Sequence, residues 1–271
     1  MRDAIPNDLA EFNRTPRVRH NDPNGSLTCS ARRTDSATGD TTMKYSFTSF
    51  TQLRLRWKIL IVFMALLMLL RLWITIDLYR PQTTELRKFD ADEVARLETA
   101  MWRSYYERRR VRLFTELAEL LRTQYHFSYW KSNVGAYHAA RAAFVFKDGH
   151  SRAEYERALP HLVDFYTMIR QASDVPFDVE RVARLELEWW IVHRQRAEHQ
   201  PGDLARALAE AAAEIYRVPA ERMAEHGRLR AEAMTIRDTR AEAGGVAEAD
   251  WQRIDALLHA SWQSLFRAVN T

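Results

Sequence analysis

Trp57 to Tyr79, WKILIVFMALLMLLRLWITIDLY, is the one stretch of the 271-residue chain in which apolar residues run unbroken instead of falling on one helical face. Ile59 to Leu70 carry no polar side chain, and Leu72, Trp73, Ile74 and Ile76 extend the run past Arg71. The result is about 20 residues, the length a helix needs to cross a bilayer. Arg71 is the objection. The Leu, Ile, Val and Phe side chains between 59 and 76 favour insertion by about 4 to 7 kcal/mol, against about 2.5 to 3.5 kcal/mol for one central Arg. Insertion wins narrowly, provided Arg71 snorkels, thins the bilayer or meets an acidic residue, a lipid head group or another subunit.

Trp57, Trp73 and Tyr79 stand near the ends of the run, as an interfacial aromatic belt requires. A secretory signal shares the basic lead of Arg54, Arg56 and Lys58, but no small-x-small cleavage site follows between Arg71 and Glu85. Residues 51–80 therefore read as an uncleaved, single-pass signal anchor with the lipid bilayer as a partner. Basic residues flank it almost evenly. The default for a short basic head keeps the N-terminus in the cytoplasm, which puts residues 81–271 outside the cytoplasmic (inner) membrane.

The formal net charge is +4, but it is uneven: residues 1–58 hold 10 Lys and Arg against 6 Asp and Glu, and residues 80–271 hold 29 against 29. A neutral body lacks the basic face that a nucleic-acid partner requires. The single cysteine, Cys29, excludes an intramolecular disulfide and a cysteine-based metal site. Residues 1–50 are polar, basic and without sustained periodicity, the signature of a disordered arm. The compact basic lead MKYSFTSFTQLRLRWK further suggests translation from Met43.

After Pro81 the pattern is helical throughout, and residues 81–271 read as an antiparallel bundle of about seven helices, giving an all-α fold behind one transmembrane helix. Asp90 with Glu93 opens a long helix to about Tyr125. A second runs from Asn133 to Phe146, and Ser151 with Glu154 caps a third. Val182, Leu185, Trp189 and Val192 mark a fourth, Asp203 a fifth, Pro219 the first turn of a sixth, and Trp251 to Leu265 a seventh. The hairpins at 133–172 and 203–243 have similar shapes, so a superhelical repeat is the alternative, without the tetratricopeptide residue pattern.

Chemistry is harder to find. Glu186 and His193 share a helix face with Leu185, Trp189 and Val192, the surroundings in which a carboxylate and an imidazole drift toward neutral pKa values. Glu98, His138, His226 and Arg237 border apolar stripes, and convergence of these faces would make an interior cluster of Glu98, His138, Glu186, His193, His226 and Arg237. The plainer reading is a set of structural hydrogen bonds and ion pairs. None of the nine histidines has a Glu three positions before it, and no His-Glu-x-x-His, Walker loop, Gly-x-Gly-x-x-Gly or Gly-x-Ser-x-Gly occurs. No metal, cofactor or catalytic residue is assigned. Trp189 and Trp190 are adjacent, so one of them is expected to leave the core for a second layer, the membrane surface or a partner; with Arg71 and Trp73 they are the candidate contacts.

Together these features describe a membrane-anchored accessory, scaffold or interaction subunit with a protein partner or a second copy of itself. The competing expectation is a membrane-tethered enzyme or ligand-binding bundle that uses the interior Glu/His/Arg cluster.

Overall fold

The computed structural model describes residues 48–271, with side chains from Arg54 onward. The expected arm and the Met43 start lie outside that range, except that Thr48 to Phe50 already belong to the first helix, α1 (Thr48–Tyr79). Two compact units divide the chain at residue 66, inside α1. Arg54–Tyr79 is the one helix among the described residues that is long and apolar enough to cross a membrane, and none of its apolar window is buried against protein.

Nine α-helices follow, against the expected seven: α2 (Ala91–Tyr106), α3 (Arg110–Tyr125), α4 (Tyr129–Asp148), α5 (Arg152–Tyr155), α6 (Leu159–Ala172), α7 (Val179–Arg194), α8 (Asp203–Tyr216), α9 (Ala224–Glu242) and α10 (Glu248–Asn270). Among the described residues there is no strand, and the only bridge is Thr84 to Ser173. The two extra helices have local causes. The expected helix 90–125 breaks at Arg108, which adopts φ 58°, and folding back buries Val94, Ala95 and Leu97 of α2 together with Ala118 and Leu121 of α3. Helix propensity yields there to packing. The Ser151 cap forms as expected, with its Oγ accepting from Glu154 N–H at 3.4 Å. It opens only one turn, because Pro160 cannot donate to the preceding turn and the chain passes through a 3₁₀ segment before α6.

Helix neighbours close on themselves. The order α2, α3, α4, α6, α7, α8, α9, α10 is one of successive packing partners, and α10 packs back on α2. Direction alternates: Arg103 at the end of α2 pairs with Glu248 at the start of α10 at 2.6 Å, and Gln263 near the end of α10 donates to Asp92 at the start of α2 at 2.8 Å. One end of this arrangement therefore collects the C-termini of α3, α6, α8 and α10 and the N-termini of α2, α4, α7 and α9.

Residues 77–90 are stitched into that end. A helix leaves its last carbonyls and first amides without intrahelical partners, and this segment supplies them. Thr84 N–H donates to Ala172 O at 2.7 Å and Arg87 donates to Tyr216 O at 2.8 Å. Asn270 donates to Arg87 O at 3.0 Å. Asp90 Oδ1 accepts from the amides of Asp92 and Glu93. Leu86 and Phe89 are buried beneath it, with Phe89 edge-on to Trp262 and Phe266.

Candidate functional site

The six polar residues expected to converge fall into three separate groups. The first holds Glu98, Glu186 and His226. Glu98 is 1% exposed; its Oε1 accepts from Arg230 Nη2 at 2.5 Å and its Oε2 from Trp262 Nε1 at 2.6 Å. Arg230 also lies 5.6 Å from the centre of the Trp189 ring. On α7, Glu186 accepts from Tyr166 Oη at 2.9 Å and from Trp190 Nε1 at 3.1 Å. Burial pushes the Tyr125 and Tyr166 hydroxyls well above the usual tyrosine range, and Glu186 adds to the rise at both. Every carboxylate oxygen of Glu98 and Glu186 thus has a protein donor.

His226 completes this group from below. Its Nδ1–H donates to Ser261 O at 3.1 Å, and the Ser261 hydroxyl donates back to His226 O at 3.0 Å. Burial first, and the nearby Arg230 charge second, lower its pKa to about 3. The imidazole is a neutral packing element against Trp262, with ring centres 5.4 Å apart.

The second group is built on Asp238 of α9, a residue that the sequence did not single out. His193 Nε2 donates to its Oδ2 at 2.9 Å, Arg196 stands 3.5 Å away and Arg237 pairs with it. Burial works to raise the Asp238 carboxyl, and the His193 hydrogen bond and the two Arg charges more than offset it, so its pKa lies below the usual value. The Arg237 guanidinium lies 3.5 Å from the centre of the Tyr106 ring. The third group is His138 of α4, which stands apart from both, beside His161 and Asp164 of α6.

Two open clefts among the described residues, of about 400 and 510 Å³, share Arg181 and Leu185. Neither is lined by any of the six residues. The smaller is walled by Glu214, which is 8% exposed and pairs with Arg181 at 3.0 Å and Arg217 at 2.7 Å.

Trp189 and Trp190 are both half-buried, their rings 6.0 Å apart and edge to face; Trp190 meets Phe146 of α4 edge-on, and Trp189 lies beneath the Arg230 guanidinium of α9. Arg71 has no ion pair among the described residues, and its carbonyl accepts from Thr75 Oγ1 at 2.9 Å. Trp73 is the contact that the structure develops most. It stacks on Tyr129 at 6.1 Å and meets Trp130 edge-on at 5.5 Å. One turn on, Asp77 Oδ2 accepts from Ser128 Oγ at 2.8 Å, Trp130 N–H at 2.7 Å and Lys131 N–H at 3.3 Å. Ser128, the residue at the N-cap of α4, makes no cap bond of its own; Asp77 does it from another helix. Beyond this junction α4 exposes Tyr129 (54%), Tyr137 (54%) and Phe144 (50%), which share about 80° of arc at about 100° per residue. No family of known proteins, no curated protein and no solved structure matches the chain.

Proposed function

We propose that the chain is a single-pass anchor in the cytoplasmic membrane carrying a helical domain whose work is association, as an accessory or scaffold subunit of a membrane assembly. One observation carries this reading: the end of the apolar helix is fixed to α4 through Asp77, and the aromatic surface at the junction continues along α4 as Tyr129, Tyr137 and Phe144. Exposed aromatic residues contribute large contact areas at low entropic cost and are enriched in interface cores. The interior carboxylates of Glu98 and Glu186 support the same view, since each of their oxygens accepts a hydrogen bond within the protein.

The Trp73 contacts also favour one environment for Arg71. If the domain surface reaches Trp73, the hydrocarbon ends before it and Arg71 sits at head-group level, where its insertion cost falls well below that of a central Arg. The residues between Lys58 and Arg71 then cover about 20 Å at 1.5 Å each, and snorkelling of the two flanks with local thinning makes up the difference from a core of about 30 Å. On the default for a short basic head, the proposal puts the domain outside the cytoplasm.

Purification of the full chain in mild detergent tests the proposal. A homo-oligomer or co-purifying protein is expected, and Tyr137→Glu with Phe144→Glu should release it while helical content is retained. A monomer with nothing bound, or release of the chain from membranes by alkaline carbonate, would overturn it.

A further inference from the structure

Beyond that role, we propose that His138, His161 and Asp164 form a transition-metal site for a divalent cation of the zinc class. His161 and Asp164 are three apart on α6 and so share a face, and α4 packs alongside and brings His138 to them. One donor atom from each of the three lies within 4.8 Å of the other two. Two imidazoles and a carboxylate are a ligand set that zinc accepts, with the remaining position open to water or an incoming ligand.

Two details separate this group from an ordinary ion pair. His138 Nδ1 lies 3.4 Å from Asp164 Oδ2, close to the edge of about 3.3 Å that a tetrahedron of ligands about 2.0 to 2.1 Å from zinc presents. That same nitrogen is buried and has no hydrogen-bond partner, a costly state for an imidazole and one that a cation relieves. The chain provides its own contrast. At His193 the carboxylate approaches to 2.9 Å and a hydrogen bond forms, and among the described residues the His199–Asp203 and His259–Asp255 pairs are not part of a three-ligand group. Asp164 is largely exposed and His161 is half-buried, so both side chains have room to adjust around an ion.

The full chain in detergent, stripped with a chelator, is titrated with Zn²⁺ in competition with a chromophoric chelator, and with Co²⁺ for its visible spectrum. One equivalent per chain is expected, with a four-coordinate cobalt spectrum. His161→Gln and Asp164→Asn should each weaken binding by more than the roughly 10- to 100-fold that loss of an outer-shell partner costs. Asp164→Asn alters an exposed side chain, so its result stands even where a histidine variant misfolds. His199→Gln and His259→Gln should bind as the natural chain does. No stoichiometric binding, unchanged affinity in His161→Gln and Asp164→Asn, or an equal loss in His259→Gln would each overturn the assignment.

Discussion

Replacing Asp77 by alanine should loosen the first turn of α4 and little else. The substitution removes the acceptor of the Trp130 and Lys131 amides and of the Ser128 hydroxyl. A lost N-cap costs about 1 kcal/mol, with a range of roughly 0.5 to 2, and a carboxylate at a helix N-terminus contributes about 0.3 to 1 kcal/mol more. The sum, about 0.8 to 3 kcal/mol, corresponds to a roughly 4- to 140-fold faster amide exchange at about 1.4 kcal/mol per decade. Hydrogen exchange followed by mass spectrometry on the detergent-solubilised chain reads it directly at Trp130 and Lys131. Asp77→Asn keeps an acceptor and loses the charge, so it should fall between. The Lys131 ammonium gives an independent readout: burial lowers its pKa, Asp77 opposes that, and removal of Asp77 should lower it further. Unchanged protection at those two amides, or equal loosening throughout α6 and α8, would refute the assignment of Asp77 as the cap of α4.

Glu98→Ala leaves the Arg230 guanidinium and the Trp262 indole buried without their acceptor, and should cost about 3 to 5 kcal/mol in urea denaturation; Glu98→Met with Arg230→Met should recover the part due to the charge, the Trp262 N–H staying unpaired, and a double variant no better than the single one would contradict a paired burial. Gly227→Ala places a Cβ 2.2 Å from Ala205 O and 2.9 Å from Ala209 N, so α8 and α9 must part; a loss of about 1 to 3 kcal/mol appears as a Tm lower by roughly 2 to 10 °C, and an unchanged Tm would exclude the close approach. His226 titrates at about 3 when folded and near its ordinary value of 6.5 when unfolded, so the unfolded chain binds more protons between those limits and stability falls as pH drops. From pH 6.5 to 5 the fall should be about 2 kcal/mol, and His226→Gln should flatten the dependence of the urea midpoint over that interval; a natural chain already flat there would show His226 to be exposed.

What could be read in the sequence was what is determined locally. The apolar run at 57–79 announces its helix without help from distant residues, and Asp90 and Ser151 cap where they stand. The break at Arg108 was hidden because nothing in 90–125 opposes a helix; the gain comes from α2 meeting α3. The start of α4 at Tyr129 rather than Asn133 depends on Asp77, some 50 residues earlier and outwardly the last charge of an apolar segment. Asp238, on which His193 and Arg237 both depend, belongs to a helix whose residues show little amphipathic bias. A search for Glu-x-x-His cannot find His161-x-x-Asp164, whose order is reversed and whose third donor comes from another helix.

The coupling between anchor and domain follows from where the helix ends lie. A flexible tether would leave the carbonyls of Ala172 and Tyr216 to water and would let the domain turn independently of α1. Here Thr84 and Arg87 occupy those carbonyls, Asp77 caps the N-terminus of α4 at the same end, and Leu86 and Phe89 are buried. Backbone groups at these ends are satisfied only while residues 77–90 stay in place, so displacing the last turn of α1 must break several bonds together. A displacement of that turn is therefore transmitted to α4 first, and with it to the exposed aromatic face that the proposed partner would meet.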